Sequence, residues 1–82
     1  MSIRVLFFAS LQEVTGSGEL EWPCPESGRT VDELLHELYD RFGGLRDWDR
    51  SLLVAADLEY VDRTARVWPG QEVAIMPPVQ GG

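Results

Sequence analysis

The sequence contains no lysine, one cysteine and one histidine, and all seven basic side chains are arginines. The single cysteine, Cys24, rules out an internal disulfide and a zinc site built from cysteine and histidine. Fourteen acidic side chains against seven basic ones give a formal net charge of -7. This charge argues against nucleic acid as a partner, because a polyanion would be repelled, and it favours a basic protein surface.

Long hydrophobic runs are also missing. No apolar stretch approaches the roughly 20 residues that span a bilayer. The first residues, Met1 to Arg4, lack the basic-then-apolar layout of a signal peptide. We therefore expect a cytoplasmic location and no membrane partner. The 82 residues are 44% apolar, and a chain of this size supports one core with little room for a deep catalytic pocket.

Neither the lone histidine nor the lone cysteine lies in a pattern that indicates catalysis. His36 is in the middle of a predicted helix, with no serine or cysteine at a spacing typical of a catalytic group. Cys24 stands between two prolines in a predicted loop. We expect structural or surface roles for both residues, no metal site, and no phosphate-binding glycine loop.

The clearest predicted element is a helix over Thr30 to Phe42. Thr30 and Glu33 have the spacing of a capping box, and Gly43 and Gly44 are expected to end the helix. Its apolar residues recur at the spacing of one helical face: Val31, Leu34, Leu35, Leu38 and Phe42.

The other segments are shorter. A helical turn is predicted over Ser10 to Gly16, with Ser10 and Glu13 at capping-box spacing, and Arg46 to Arg50 is predicted to be loop. Alternating or β-branched residues predict strands at Ile3 to Ala9, Glu19 to Trp22, Glu59 to Val61 and Gln71 to Met76. The apolar run at Leu52 to Ala56 (LLVAA) predicts a short buried strand.

This order of elements predicts an α+β fold. It consists of a mixed sheet of four to five strands with one main helix across one face, and the last strand returns beside the first. We expect a single domain over residues 1–82, in which residues 77–82 form a projecting C-terminal tail.

Two central strands are expected to carry apolar side chains on both faces. The helix should cover Val5, Phe7, Val73 and Ile75. The opposite face would then expose a contiguous apolar patch, which usually marks a binding surface. We predict partner binding by this patch and by the start of the tail, through Leu6, Phe8, Ala74, Met76, Pro77, Pro78, Val79 and Gln80.

The tail carries the predicted chemistry. Pro77 and Pro78 end the sheet because neither has an N–H to donate. Gly81 and Gly82 follow, and without Cβ atoms they can thread a narrow channel and approach a nucleotide or nucleophile closely. The terminal carboxylate of Gly82 can be activated by adenylation in a partner's site and then attacked by sulfur or an amine. We therefore predict that Gly82, with Gly81, is the reactive site.

The chain resembles a known family along its whole length. It is similar to the small subunits of molybdopterin synthase, which are sulfur carriers of the ubiquitin-like β-grasp fold. The residues that carry this resemblance are Val5 to Ala9 (VLFFA), Thr30 to Leu35 (TVDELL), Leu52 to Ala55 (LLVA), Glu59 to Val61, and Pro69 to Gly82. The chain departs from the family at Gln12, Asp57 and Met76, where an arginine, an asparagine and an aromatic residue are frequent.

The resemblance implies a mechanism. An ATP-dependent activating enzyme, related to ubiquitin activators, would adenylate Gly82. Sulfur from a persulfide donor protein would then convert Gly82 to a thiocarboxylate. The tail would enter the large subunit of molybdopterin synthase, whose side chains are catalytic, and donate sulfur to cyclic pyranopterin monophosphate. The usual assembly is a heterotetramer of two small and two large subunits, and the small subunit itself binds no cofactor.

Three alternatives stay open at the level of sequence. The first is a sulfur carrier of the same fold that serves thiamine thiazole synthesis or tRNA thiolation. The second is a ubiquitin-like protein modifier, although a chain without lysine cannot form isopeptide chains through its own side chains. The third is an interaction domain whose tail has no chemical role.

Overall fold

A computed structural model describes residues 1–78 of the chain. In chain order its elements are β1 (Ser2–Phe7), α1 (Leu11–Thr15), β2 (Glu19–Pro23), β3 (Arg29–Thr30), α2 (Val31–Arg41), a 3₁₀ helix (Gly43–Trp48), β4 (Leu53–Ala56), β5 (Glu59–Val61), β6 (Arg66–Val67) and β7 (Glu72–Met76).

Five of the strands form one mixed sheet, in the order β2-β1-β7-β4-β5. The central pair, β1 and β7, is parallel and aligns Val5 with Val73 and Phe7 with Ile75. The other neighbours in this sheet are antiparallel. The last described strand therefore lies beside the first, and the predicted α+β fold with a main helix across one sheet face is confirmed.

The core lies between the central strands and α2. Phe7 is 1% exposed, and its ring meets that of Phe42 edge-on with centroids 6.0 Å apart. Val5, Val73 and Ile75 are also fully buried. The predicted inward-facing set is therefore confirmed. Leu34, Leu35 and Leu38 supply the helical side of the same core, as their spacing predicts.

The start of α2 has the predicted capping box. The Thr30 hydroxyl accepts a hydrogen bond from the Glu33 N–H at 3.1 Å, and the Glu33 carboxylate accepts one from the Thr30 N–H at 2.8 Å. These two bonds satisfy donors that the helix leaves free at its first turn. The Thr30 N–H that donates to the Glu33 carboxylate is the main cause that lowers the pKa of Glu33. The capping box predicted at Ser10 is wrong, because the Ser10 side chain makes no capping bond.

This contrast gives a matched pair of variants. We expect Thr30→Ala to lower the free energy of unfolding by about 1 kcal/mol, because it removes a side-chain cap. We expect Ser10→Ala to stay within about 0.5 kcal/mol of the parent chain, as is usual for an exposed side chain without such a bond. Urea unfolding followed by circular dichroism measures both, and equal losses in the two variants would contradict this assignment of the caps.

The first strand is shorter than predicted. It ends at Phe7 instead of Ala9. The Phe8 N–H still donates to the Ile75 carbonyl at 3.2 Å, but the Phe8 carbonyl accepts from the N–H of Leu11, and Ala9 has φ +52. The chain turns here because the Phe8 carbonyl is used to start α1. Gly16, at φ +76, ends that helix as predicted.

The region after α2 also differs from the prediction. The helix ends at Arg41, and neither Gly43 nor Gly44 takes the left-handed conformation of a glycine cap. Both glycines belong to the 3₁₀ helix, which replaces part of the loop predicted at residues 46–50. Leu45 and Trp48, three residues apart, pack on the core and favour that helix. A Cβ on Gly44 would lie 2.9 Å from Cγ1 of Val14, so a larger residue here would force Val14 of α1 to shift.

A small second sheet, β3 with β6, has no counterpart in the predicted elements. Each strand is two residues long, which is too short for an alternating pattern to show in sequence. Cys24 packs nearby in the core and is 3% exposed, in line with the structural role expected for it. Within residues 1–78, no helix has the length and apolar character needed to cross a membrane.

Candidate functional site

The predicted reactive residues, Gly81 and Gly82, lie outside the described residues, as do Val79 and Gln80. Their roles stay predictions. The structure describes the point from which they follow. Strand β7 ends at Met76, and the half-buried Pro77 and Pro78 come directly after it.

The four predicted face residues lie together on the side of the sheet away from α2. Leu6 pairs in register with Ala74 on the adjacent strand. Leu6, Ala74 and Met76 are half-buried, and Phe8 is 44% exposed. The predicted geometry of this patch is therefore confirmed, and it adjoins the start of the tail. Its role in binding a partner stays a prediction.

The same surface extends over β4 and β5, two strands that were predicted but not as part of this surface. Leu53 on β4 lies opposite Met76, and Ala55 lies between Ala74 and Tyr60 in the ladder. Leu53 is 36% exposed and Tyr60 is 72% exposed. Residues 52–56 are apolar throughout, and this run predicts a buried strand, so it gives no sign that Leu53 is exposed. We name this surface the outer apolar face: Leu6, Phe8, Leu53, Ala55, Tyr60, Ala74 and Met76.

The other end of the same sheet side is charged. Arg4 on β1 lies 3.5 Å from Glu19 and 3.6 Å from Glu72, and all three side chains are well exposed. Exposed ion pairs of this kind stabilise a fold by little. Arg4 and Glu72 are register partners, and they mark the end of β1 and β7 that lies away from the tail.

A groove of about 510 Å³ borders the outer apolar face where β1 meets α1. Leu6 and Phe8 form one wall and Gln12 another. The amide of Gln12 donates to the Phe7 carbonyl at 3.1 Å, which fixes the side chain at this edge. Gln12 is one of the three departures from the family pattern, and the structure gives it a local structural contact.

Asp57, another departure, holds the turn between β4 and β5. Its φ of +47 is left-handed, a conformation that aspartate and asparagine tolerate better than most residues. Its carboxylate accepts from the Glu72 N–H and from the Gln71 amide, each at 3.0 Å. These bonds, that of Glu72 first, lower the pKa of Asp57.

A polar cluster lies on another side of the molecule, around Tyr39, Asp49 and Arg63. The Tyr39 hydroxyl donates to Asp49 at 2.6 Å, and the Arg63 guanidinium donates to Asp49 at 2.9 Å and to Asp32 at 3.4 Å. His36 borders a cleft of about 500 Å³ beside this cluster. The charged groups bond one another and tie α2 to the loops beside it, so the cluster is explained as a structural feature.

This cluster predicts a pH dependence of stability. The hydrogen bond from Tyr39, followed by that from Arg63, lowers the pKa of Asp49. A carboxyl with a lowered pKa in the folded state stabilises the fold above its unfolded pKa of about 3.9, and that contribution is lost as the pH falls through the folded pKa. We therefore expect Tyr39→Phe to destabilise the chain more near pH 7 than near pH 3.

Urea unfolding across that pH range, with the parent chain and Tyr39→Phe side by side, measures the difference. The exposed tyrosine supplies a control, because we expect Tyr60→Phe to follow the pH dependence of the parent chain. A Tyr39→Phe loss that is constant with pH would argue against the bond to Asp49.

Within residues 1–78, no group of three or more histidine, cysteine, aspartate or glutamate side chains is placed to hold a metal ion. The candidate site that the described residues form is the outer apolar face beside Pro77 and Pro78.

Comparison with known proteins places the chain in a family. The model of the ThiS family matches residues 5–82. The molybdopterin synthase sulfur carrier subunit of Arabidopsis thaliana is 37% identical over 82 residues, which cover 100% of this chain and 84% of that protein. The human protein of the same name is 32% identical, over 98% of this chain and 93% of its own.

A solved structure agrees. SAMP1 from Haloferax volcanii superposes with a TM-score of 0.81 at 26% identity, covering 100% of both chains. The expected ubiquitin-like β-grasp fold is therefore confirmed. The chain belongs to the ThiS family, and its expected role as a sulfur carrier related to the small subunit of molybdopterin synthase is confirmed.

Proposed function

We propose that this chain carries sulfur on Gly82 and donates it in molybdopterin synthesis. The outer apolar face is the observation that carries the proposal, because it adjoins the start of the tail. The family model also matches this chain through Gly82. A partner that binds Phe8 and Met76 is thereby placed where the tail begins. The described residues supply docking, and the terminal carboxylate supplies the chemistry.

The proposed loading reaction has two steps. The carboxylate of Gly82 attacks the α-phosphorus of ATP in an activating enzyme, which forms an acyl adenylate and releases pyrophosphate. Hydrosulfide then attacks the activated carbonyl carbon, the C–O bond to AMP breaks, and the product is a thiocarboxylate on Gly82 with AMP as the leaving group. The chain binds no cofactor in this scheme, because ATP is held by the activating enzyme.

The proposed unloading reaction takes place in the large subunit of molybdopterin synthase. The tail enters that subunit, and the thiocarboxylate sulfur is transferred to cyclic pyranopterin monophosphate. The name shared by the curated relatives, sulfur carrier subunit, supports a stable assembly with another subunit. We propose an assembly of two small and two large subunits, located in the cytoplasm.

Reconstitution with purified components tests the proposal. The chain, an activating enzyme, ATP and sulfide are incubated, and intact-mass spectrometry measures the exchange of one oxygen for sulfur at the C-terminus. The loaded chain is then added to the large subunit with cyclic pyranopterin monophosphate, and molybdopterin is measured by the fluorescence of its oxidised product. Loading without transfer to this substrate would assign the chain to thiamine thiazole synthesis or tRNA thiolation instead.

A second candidate function is attachment to other proteins. The likeness to SAMP1, whose full name is small archaeal modifier protein 1, favours it. In that case an amine of a target protein would attack the activated carbonyl of Gly82. Immunoblots of an N-terminally tagged chain in its native extract would show bands of higher mass that resist thiols, and these bands would disappear when Gly82 is deleted.

A further inference from the structure

The tip of the β4–β5 hairpin carries an exposed leucine in an unfavourable backbone conformation. Leu58 has φ +72 and is 92% exposed, more than any other large apolar side chain of residues 1–78. Asp57 before it also has a positive φ, so the two form the tight turn that favours asparagine and glycine. A leucine here adds steric cost and exposed apolar area, and folding gains little from it.

Asp57 and Leu58 share the turn but differ in what they contribute to the fold. Asp57 compensates for its conformation with two carboxylate bonds to the start of β7. Leu58 remains exposed beside it. Residues in sparsely populated backbone conformations are found preferentially at functional sites. The contrast therefore points to a role for Leu58 in binding another molecule.

Leu58 directly precedes β5, the edge strand that carries Tyr60 of the outer apolar face. Tyr60, two residues further along β5, lies on that face opposite Ala55. The hairpin tip itself lies beside the first residue of β7, since the Asp57 N–H donates to the Glu72 carbonyl at 2.8 Å. The tail leaves from the other end of the same strand. Leu58 and the tail therefore lie at opposite ends of β7, about 17 Å apart along the strand.

The size of the surface favours its extension to Leu58. A stable interface buries about 800 Å² on each partner. Four of the seven residues of the outer apolar face are half-buried or buried, so this face alone offers little exposed area to a partner. Tyr60 and Leu58 are the most exposed apolar side chains at this edge. A stable partner would gain further contact area most directly by also covering the tip of the β4–β5 hairpin.

The charge around the tip defines the chemistry of the partner's surface. Glu59 follows Leu58 directly and is exposed, and Glu72 lies beside the tip. The whole chain has a formal net charge of -7. An apolar pocket with a basic rim would complement an exposed leucine on a chain with this excess of acidic side chains.

We propose that Leu58 is a docking anchor for the large subunit of molybdopterin synthase, where it occupies an apolar pocket with a basic rim. The inference rests on the proposed function and extends it by a second point of attachment. A partner held at the hairpin tip and at the tail is fixed in orientation, and the tail is thereby aligned with the channel that receives it. The stable subunit is the expected occupant, because an extended interface suits a lasting complex better than a transient one.

Two substitutions separate the anchor from the backbone. Leu58→Asn relieves the left-handed strain and removes the apolar side chain, whereas Leu58→Met keeps an apolar side chain of similar size. We expect Leu58→Asn to raise the urea midpoint of unfolding and to weaken the Kd for the purified large subunit about tenfold or more. We expect Leu58→Met to bind within about threefold of the parent chain. Isothermal titration calorimetry measures the affinities.

The outcomes are distinct. An unchanged Kd for Leu58→Asn overturns the anchor, and the proposed function stands if the parent chain binds and transfers sulfur. A loss of affinity for the activating enzyme alone also overturns the proposal, because the anchor would then serve the other partner. No binding of the large subunit by the parent chain overturns the anchor and the proposed function together. Leu58→Gly, which also relieves the strain, repeats the test in a second variant.

Discussion

Deletion of Gly82 is expected to lower sulfur transfer at least about 100-fold while the fold and partner binding are kept. The deletion withdraws the terminal carboxylate by one residue, about 3.5 Å of extended chain. A displacement of 1 Å at a reacting group can already cost about 100-fold in rate. Residues 1–78 contain the core, so the urea midpoint should not change. Thiocarboxylate formation and molybdopterin production measure the loss.

Gly82→Ala is the matched variant for this deletion. It keeps the length of the tail and its carboxylate but adds a Cβ atom, which tests whether the partner's channel requires a glycine. We expect it to be loaded more slowly than the parent chain and faster than the deletion variant. Full activity of the chain that lacks Gly82 would overturn the proposed chemistry, whatever the partner.

The second large effect is expected at the outer apolar face. Phe8→Asp should weaken binding of the large subunit about 100-fold, since a buried aromatic anchor contributes about 2–4 kcal/mol to an interface. The new carboxylate would also be left unpaired in an apolar contact. Because Phe8 lies outside the core and is 44% exposed, the substitution should leave the fold intact. Calorimetric titration measures the affinity, and unfolding in urea checks the fold.

Trp68 provides a control of equal exposure. Its side chain is 46% exposed, lies beside Gly28, and belongs to the loop after β6, apart from the outer apolar face. Trp68→Asp adds the same charge and removes an aromatic side chain of similar exposure. We expect its affinity to stay within about threefold of the parent chain. Equal losses in the two variants would indicate that added negative charge, and not the position of Phe8, weakens binding.

Part of the outer apolar face could be predicted from the sequence. Leu6, Phe8, Ala74 and Met76 were predicted correctly to share a face, because alternation along two strands fixes which side each residue occupies. Phe8 was nevertheless placed inside a strand that ends one residue earlier. The turn at Ala9 depends on where its neighbours find hydrogen-bond partners, and alternation carries no signal for that.

Leu53 and Tyr60 show what the pattern could not supply. Their faces follow from alternation, but their membership of one surface depends on β4 lying beside β7, and β5 beside β4. Strand order is set by contacts between residues far apart in the chain. The sequence interpretation therefore treated Leu53 as buried, and it gave no weight to the exposed Tyr60.

By itself, the sequence determined the local features of this protein. The capping box at Thr30, the apolar stripe of α2, the inward-facing residues of the central strands and the Gly-Gly ending are all written in spacings of a few residues, and periodicity reports such spacings directly. Only the tertiary structure decided the strand order, the extent of the outer apolar face, and the exposed, strained position of Leu58. These depend on which distant segments meet and which backbone groups they bond, and a pattern of neighbouring residues does not record that.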